Sequence, residues 1–94
     1  MSDVLAGLRV RFLDRCVGEL ERIEWLLKHG ALDADEMQSL VHRLSGAAGT
    51  FGFSEISAAA GECDDAFAQG RSPDGAAVER LAATIREALV RRTG

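Results

Sequence analysis

A chain of 94 residues is long enough for one compact core and too short for two domains. Apolar residues make up 47% of it and charged residues 28%, which is typical of a globular domain rather than a disordered chain. The formal net charge is −4, no run of lysine or arginine occurs, and no apolar stretch approaches the roughly 20 residues of a membrane span. Nucleic acid and membrane are therefore not expected as partners.

The ends and the cysteines indicate a cytoplasmic protein. The first residues lack the charged-then-apolar order of a secretory signal. Cys16 and Cys63 are far apart and fit no metal-ligand spacing, so we expect reduced cysteines in the core. We expect a single domain over 1–94, and the clean ends favour a stand-alone protein.

Glycines and the one proline divide the chain into four segments, and the lack of alternating β-branched runs argues against strands. The apolar spacing predicts helices over about 3–29, 34–51, 54–70 and 74–92. Short loops between amphipathic helices predict an all-α, antiparallel up-and-down four-helix bundle.

The first helix has Ser2 or Asp3 as a candidate cap, and Gly30 follows its last turn. Gly7 lies inside it, so a short N-terminal lead-in helix with a bend is expected there. Gly70 is the predicted stop of the third helix. The expected core stripe of the first helix is Leu5, Leu8, Phe12, Cys16, Leu20, Ile23 and Leu27.

The other helices have start signals of their own. Asp33 with Glu36 resembles a capping box, Ser54 is a candidate cap, and Ser72 before Pro73 is typical of a helix start. The expected core residues are Met37, Leu40, Val41, Leu44, Ala48 and Phe51 in the second helix, Ile56, Ala59, Ala60, Cys63 and Phe67 in the third, and Val78, Leu81, Ile85 and Leu89 in the fourth.

The polar face of the second helix is unusual. His42 points away from the core stripe, and Gln38, Ser45, Gly46 and Gly49 share its outward side. Each mid-helix glycine costs about 1 kcal/mol relative to alanine, and glycine lets another molecule approach a helix closely. Neutral imidazole is nucleophilic and titrates near neutral pH, so this face suits a reactive histidine on an open platform.

Two structural explanations compete with that interpretation. A lone histidine on a helix surface is usually only solvated. The glycines could instead allow close contact between helices of the bundle, and Gly49 lies nearer the core face than Gly46.

The stretch from His42 to Gly52 resembles the motif of histidine-phosphotransfer (HPt) domains of two-component phosphorelays. That motif has an apolar residue two positions after the histidine, lysine three after, glycine four after and another glycine ten after. His42, Leu44, Gly46 and Gly52 match it, and the resemblance extends over essentially the whole chain.

The resemblance implies a phosphoryl carrier rather than a self-sufficient enzyme. His42 would accept a phosphoryl group from the aspartate of a receiver domain and pass it to another receiver. Receiver domains of response regulators or a hybrid histidine kinase would be the partners of a monomeric chain. The receiver would supply the divalent metal, so no cofactor is expected here. Gly46 and Gly49 would form the docking surface.

One position departs from the family. Ser45 stands where the family usually has lysine, which helps to balance the phosphoryl charge. Ser45 is a candidate contact to the phosphoryl group or the imidazole because its hydroxyl can donate a hydrogen bond, but it brings no positive charge, so we expect a less secure hold on the phosphoryl group. Arg43 points about 100° away from His42 but has a long side chain. Gln38, one turn before His42, is a candidate contact to the imidazole or the phosphoryl group.

The missing lysine leaves a second function open, a helical interaction module that binds a receiver or kinase without phosphotransfer. A dimerisation unit is a third possibility. It would need a large apolar outer face, and only Val10, Val17 and Trp25 hint at one.

Other polar residues have simpler explanations. His29 ends the first helix, where a cation suits the helix dipole. Trp25 is expected to be partly exposed and to cover an edge of the bundle. Glu62, Asp64 and Asp65 are expected to form a solvated face of the third helix.

Overall fold

The computed structural model describes the backbone of residues 2–92 and the side chains of 4–92. Its four helices are α1 (Ser2–Lys28), α2 (Asp35–Thr50), α3 (Ser54–Ala68) and α4 (Gly75–Arg91), and this part of the chain contains no strand. Each helix packs against two others, with α1 beside α2 and α4, and α3 beside α2 and α4. The predicted all-α up-and-down bundle is confirmed. None of the described helices is long and apolar enough to cross a membrane.

The expected lead-in helix is not formed. α1 is one helix of 27 residues that passes through Gly7 without a break. The cost of a single glycine, about 1 kcal/mol, is too small to end a helix that is well formed on both sides. The caps proposed at Ser2 and Asp3 depend on side chains outside the described residues.

The predicted N-caps of the other helices are wrong. Ala34 precedes α2 and no side chain caps that helix, while Glu36 binds Arg22 of α1 instead of closing a capping box. Ser54 is the first residue of α3 rather than its cap. Asp74, not Ser72, caps α4.

Asp74 acts as a cap because its Oδ1 accepts a hydrogen bond from the backbone N–H of Ala77, at 2.8 Å. That N–H is one of the donors left without a partner in the first turn of a helix. Pro73 therefore precedes the cap instead of starting the helix.

The core is largely as predicted, but it begins further along α1 than expected. Leu5 and Leu8 are 41% and 39% exposed. The reason is the length of α1: Arg9 Nε already donates to the carbonyl oxygen of Phe51 at the end of α2, 2.8 Å away, so residues before Arg9 extend past that helix. The buried core residues that were not predicted are Leu13, Leu26, Ala66, Ala77, Ala82 and Ala88. The predicted residues that are only partly buried are Leu27, Phe51, Ala59, Phe67 and Leu89.

Glycines with positive φ follow α1, α2 and α3. Gly30 and Gly70, with φ of 67° and 77°, confirm the two predicted stops. Gly52, with φ of 83°, makes the corner between α2 and α3. The positive φ favours glycine at this position, and a Cβ there would also lie 2.8 Å from a guanidinium nitrogen of Arg9, which would have to move.

Candidate functional site

The imidazole of His42 lies on the surface of α2 and contacts α3. Its side chain is 76% exposed, and Nδ1 lies 3.3 Å from Oδ2 of Asp64, whose side chain is 29% exposed. Because a carboxylate only accepts hydrogen bonds, this long contact favours the tautomer of a neutral ring that carries its proton on Nδ1. Nε2 is then left with its lone pair.

Asp64 was not predicted as a site residue. The expectation of a solvated acidic face on α3 is corrected at this position, because Asp64 contacts His42 and is partly buried. Glu62 instead pairs with Arg80 at 2.7 Å, and Asp65 is exposed. The acidic cluster is therefore divided between two different neighbours.

The contact between His42 and Asp64 is one of three successive contacts along the interface between α2 and α3. Ser57 Oγ lies 3.2 Å from the position that a Cβ on Gly49 would occupy. One turn nearer His42, Ser45 Oγ lies 3.5 Å from the corresponding position on Gly61. The small residues at these two contacts bring the backbones of α2 and α3 close together. This spacing lets the short Asp64 side chain reach the imidazole.

Ser45 lies in the interface between α2 and α3 rather than beside open solvent. Its side chain faces Gly61, and its carbonyl oxygen accepts a hydrogen bond from Ser57 Oγ at 2.9 Å. The position that carries lysine in the resembling family therefore holds a small hydroxyl packed against α3. It contributes no positive charge next to His42.

The two glycines predicted to form a docking surface differ in their surroundings. A Cβ on Gly46 would meet no atom within 4 Å, so this part of α2 is open. A Cβ on Gly49 would press on Ser57, so close helix packing accounts for glycine at that position. Thr50 Oγ1 donates to the carbonyl oxygen of Gly46 at 3.0 Å.

Gln38 and Arg43 lie on either side of His42 along α2. Gln38 is exposed one turn before the histidine. Arg43 Nε donates to the carbonyl oxygen of Ser39 at 3.3 Å. Arg43 lies seven positions after Glu36, which binds Arg22 of α1, so Arg43 is on the flank of α2 that faces α1. His42 leans the other way, toward α3.

The remaining polar residues lie elsewhere. His29 Nδ1 donates to the carbonyl oxygen of Trp25 at 2.8 Å, and the two rings stack with centroids 4.0 Å apart. Trp25 is 47% exposed, as expected. Both cysteines are free and buried, as expected. Among the described residues no group of three or more histidine, cysteine, aspartate or glutamate side chains could hold a metal ion.

The surface around His42 is open. The main clefts on the described surface lie between α1 and α4 and between α3 and α4, and His42 lines none of them. His42 is thus an exposed histidine in the middle of a helix. This arrangement defines the class: a helical bundle that presents a histidine.

The family follows from comparison with known proteins. The family model described as Hpt domain matches residues 7–91, so the chain belongs to the histidine-phosphotransfer domain family. Members of this family carry phosphoryl groups in two-component phosphorelays and interact with receiver domains and kinases. No curated protein and no solved structure matches the chain closely enough to add to this assignment.

Sequence patterns indicated the outward histidine and its glycine neighbour but missed Asp64 and the packing role of Ser57. A histidine facing a carboxylate across two helices leaves no spacing signal, because the pairing depends on how the helices are aligned. The small residues of α3, Ser57 and Gly61, were a usable signal, since they indicate a close neighbour.

Proposed function

We propose that His42 is the phosphoryl acceptor, and that it takes the phosphoryl group from a receiver-domain aspartate and passes it to another receiver. The observation that carries this proposal is the exposed imidazole with Nδ1 3.3 Å from Asp64. In the tautomer that this contact favours, the lone pair of Nε2 is available to a partner. Gly46 beside it has open space above its backbone, which suits the approach of a partner.

No proton has to leave the ring during the transfer, so the reaction needs no additional base. The Nε2 lone pair forms a bond to phosphorus while the bond from phosphorus to the aspartyl oxygen breaks, and the aspartate leaves as a carboxylate. The proton stays on Nδ1, where Asp64 balances the charge of the phosphorylated ring. In the second transfer an acceptor carboxylate attacks phosphorus, the bond from nitrogen to phosphorus breaks, and its electron pair returns to Nε2.

The protein's share of this chemistry is positioning and charge balance. We propose that the divalent metal belongs to the receiver, and that the chain acts in the cytoplasm as a monomer without a cofactor of its own. Gln38 is the proposed contact to the phosphoryl oxygens on the solvent side. Arg43 faces α1, so its proposed role in phosphoryl contact requires its side chain to turn back toward His42. Light scattering on the purified chain checks the monomer.

The test is phosphotransfer from a panel of phosphorylated receiver domains. His29→Gln is the matched control for His42→Gln, because it removes the other exposed histidine. We expect a base-stable, acid-labile label on the native chain and on His29→Gln, and none on His42→Gln. Retention of the label by His42→Gln contradicts the proposal.

A second candidate function is an interaction module that binds a receiver or kinase without phosphotransfer. The observation in its favour is Ser45, which supplies no cation beside His42. Measurable binding to a receiver with no label from any receiver supports this alternative against the carrier.

A further inference from the structure

The exposed face of α2 offers a partner almost no apolar surface. The large hydrophobic side chains exposed among the described residues are Val4, Leu5, Leu8, Val10, Val17, Trp25 and Val90, all on α1 or α4. Around His42 the exposed residues are polar or glycine. A partner that docks over His42 must therefore gain much of its selectivity from polar and charged contacts.

The alignment of α1 and α2 brings two arginines opposite each other next to this face. Arg22 of α1 binds Glu36 of α2 through two contacts of 2.7 Å. Two helical turns from this pair, seven residues back along α1 and seven forward along α2, lie Arg15 and Arg43. Because the helices are antiparallel, these two side chains occupy the same level of the same groove.

Neither guanidinium has a strong acidic partner there. Arg15 lies 3.6 Å from Glu19, and its side chain is 53% exposed. Within residues 4–92 the hydrogen bond of Arg43 is to the backbone oxygen of Ser39, at 3.3 Å. Arg11, one turn before Arg15, is also exposed. We call Arg11, Arg15 and Arg43 the basic edge.

The basic edge contrasts with the rest of the chain. The formal net charge is −4, and the flank on the other side of His42 carries the carboxylates of Asp64 and Asp65. A partner that covers His42 thus meets positive charge on the α1 side and negative charge on the α3 side. Two positive charges at the same level of a groove gain no favourable interaction from each other, and carboxylates of a partner placed between them would interact favourably with both.

We propose that the basic edge docks an acidic surface of the protein that exchanges the phosphoryl group with His42, and so fixes the orientation of that partner. This inference rests on the proposed function, since the partner is the receiver of the phosphorelay. Paired guanidinium groups suit the purpose because each binds a carboxylate through two parallel hydrogen bonds.

Charge reversal tests the basic edge. Arg15→Glu is compared with Arg15→Gln and with Arg91→Glu, which makes the same charge change on the exposed face of α4. The probe is the panel receiver that labels the native chain fastest. At low salt we expect Arg15→Glu to slow transfer about tenfold and Arg15→Gln to slow it less, with both differences shrinking as salt rises. Arg91→Glu should transfer at the native rate.

Two further measurements separate this inference from the proposed function. Phosphoramidate, a small phosphoryl donor without a docking surface, reports the reactivity of His42 directly, so the receiver rate divided by the phosphoramidate rate isolates docking in each variant. If no receiver transfers, the affinities of the same variants for the panel receivers replace the rates. The inference is overturned if the normalised transfer rate of Arg15→Glu, or its affinity for the receivers where affinities are measured, equals that of Arg91→Glu or exceeds that of the native chain.

Discussion

His42 on α2 and Asp64 on α3 meet 3.3 Å apart, and each lies seven positions from the place where Gly49 and Ser57 pack together. The geometry around the imidazole therefore depends on the distance between two helices. Asp64 reaches Nδ1 because small residues hold those helices close.

Loss of the Asp64 charge should slow phosphorylation of His42. Asp64→Asn keeps the size of the side chain but weakens its hold on the Nδ1 proton, a change of about 1 kcal/mol, or about fivefold in rate. The measurement is the labelling rate with phosphoramidate, together with the nitrogen NMR shifts of the imidazole. We expect the share of the tautomer with its proton on Nε2 to rise.

Asp65→Asn is the matched control, because Asp65 is the exposed neighbour of Asp64. It should leave both the rate and the tautomer ratio unchanged. If Asp64→Asn and Asp65→Asn give the same imidazole shifts, the positioning role of Asp64 is refuted.

The two glycines of α2 should respond differently to alanine. Gly46→Ala adds a methyl group in open space, so it should raise the free energy of unfolding by about 0.5–1 kcal/mol through helix propensity. Gly49→Ala meets Ser57 Oγ at 3.2 Å, so it should gain about 1 kcal/mol less than Gly46→Ala. Urea denaturation of both variants measures the difference.

The two variants should also differ in phosphotransfer, each for its own reason. Gly46→Ala should slow transfer from a receiver while leaving phosphoramidate labelling of His42 unchanged, because only the approach of a large partner is obstructed. Gly49→Ala should weaken the contact between His42 and Asp64 by spreading the helices. Native transfer rates for Gly46→Ala would remove that glycine from the docking surface.

Introducing lysine at position 45 should lengthen the half-life of the phosphohistidine. The ammonium group of Ser45→Lys adds a positive charge beside the phosphoryl oxygens, and its stem has to pass Gly61 on α3. We expect a half-life several-fold longer than in the native chain, measured by loss of label at neutral pH. Ser45→Met, which has a similar length and no charge, is the control. Equal half-lives in the native chain and Ser45→Lys would count against the charge explanation.

Both cysteines should resist alkylation until the bundle opens. Burial raises the pKa of Cys16 to about 12 and that of Cys63 to about 11, so the reactive thiolate is scarce at pH 8. The side chains are also shielded from the reagent. We expect labelling by iodoacetamide to follow the unfolding transition in urea. Rapid labelling of the native chain at pH 8 contradicts this.

The fold was predictable because the apolar spacing of four segments survives in the structure, with boundaries shifted by a few residues. The caps were not. Asp33 and Glu36 fit a capping pattern, but Arg22 on a neighbouring helix takes Glu36. A local pattern cannot show that a tertiary partner competes for the same side chain.

The site was predictable only in part, for a similar reason. The outward direction of His42 follows from helical periodicity, while the docking role of Gly46, which has open space above it, stays a prediction. The contact with Asp64, the packing of Gly49 on Ser57 and the exposure of Leu5 and Leu8 all depend on how one helix is aligned with another. That alignment is a property of the assembled bundle.

The exposure of the His42 side chain would also set a timescale for the phosphorylated form. A phosphoryl group on so open a ring would be in contact with water from the moment that a partner departs. A phosphoryl carrier of this kind would turn over rapidly and would store the signal poorly. The memory of the pathway would then lie in the receivers, and the concentration of free receiver would decide how much of the signal is passed on.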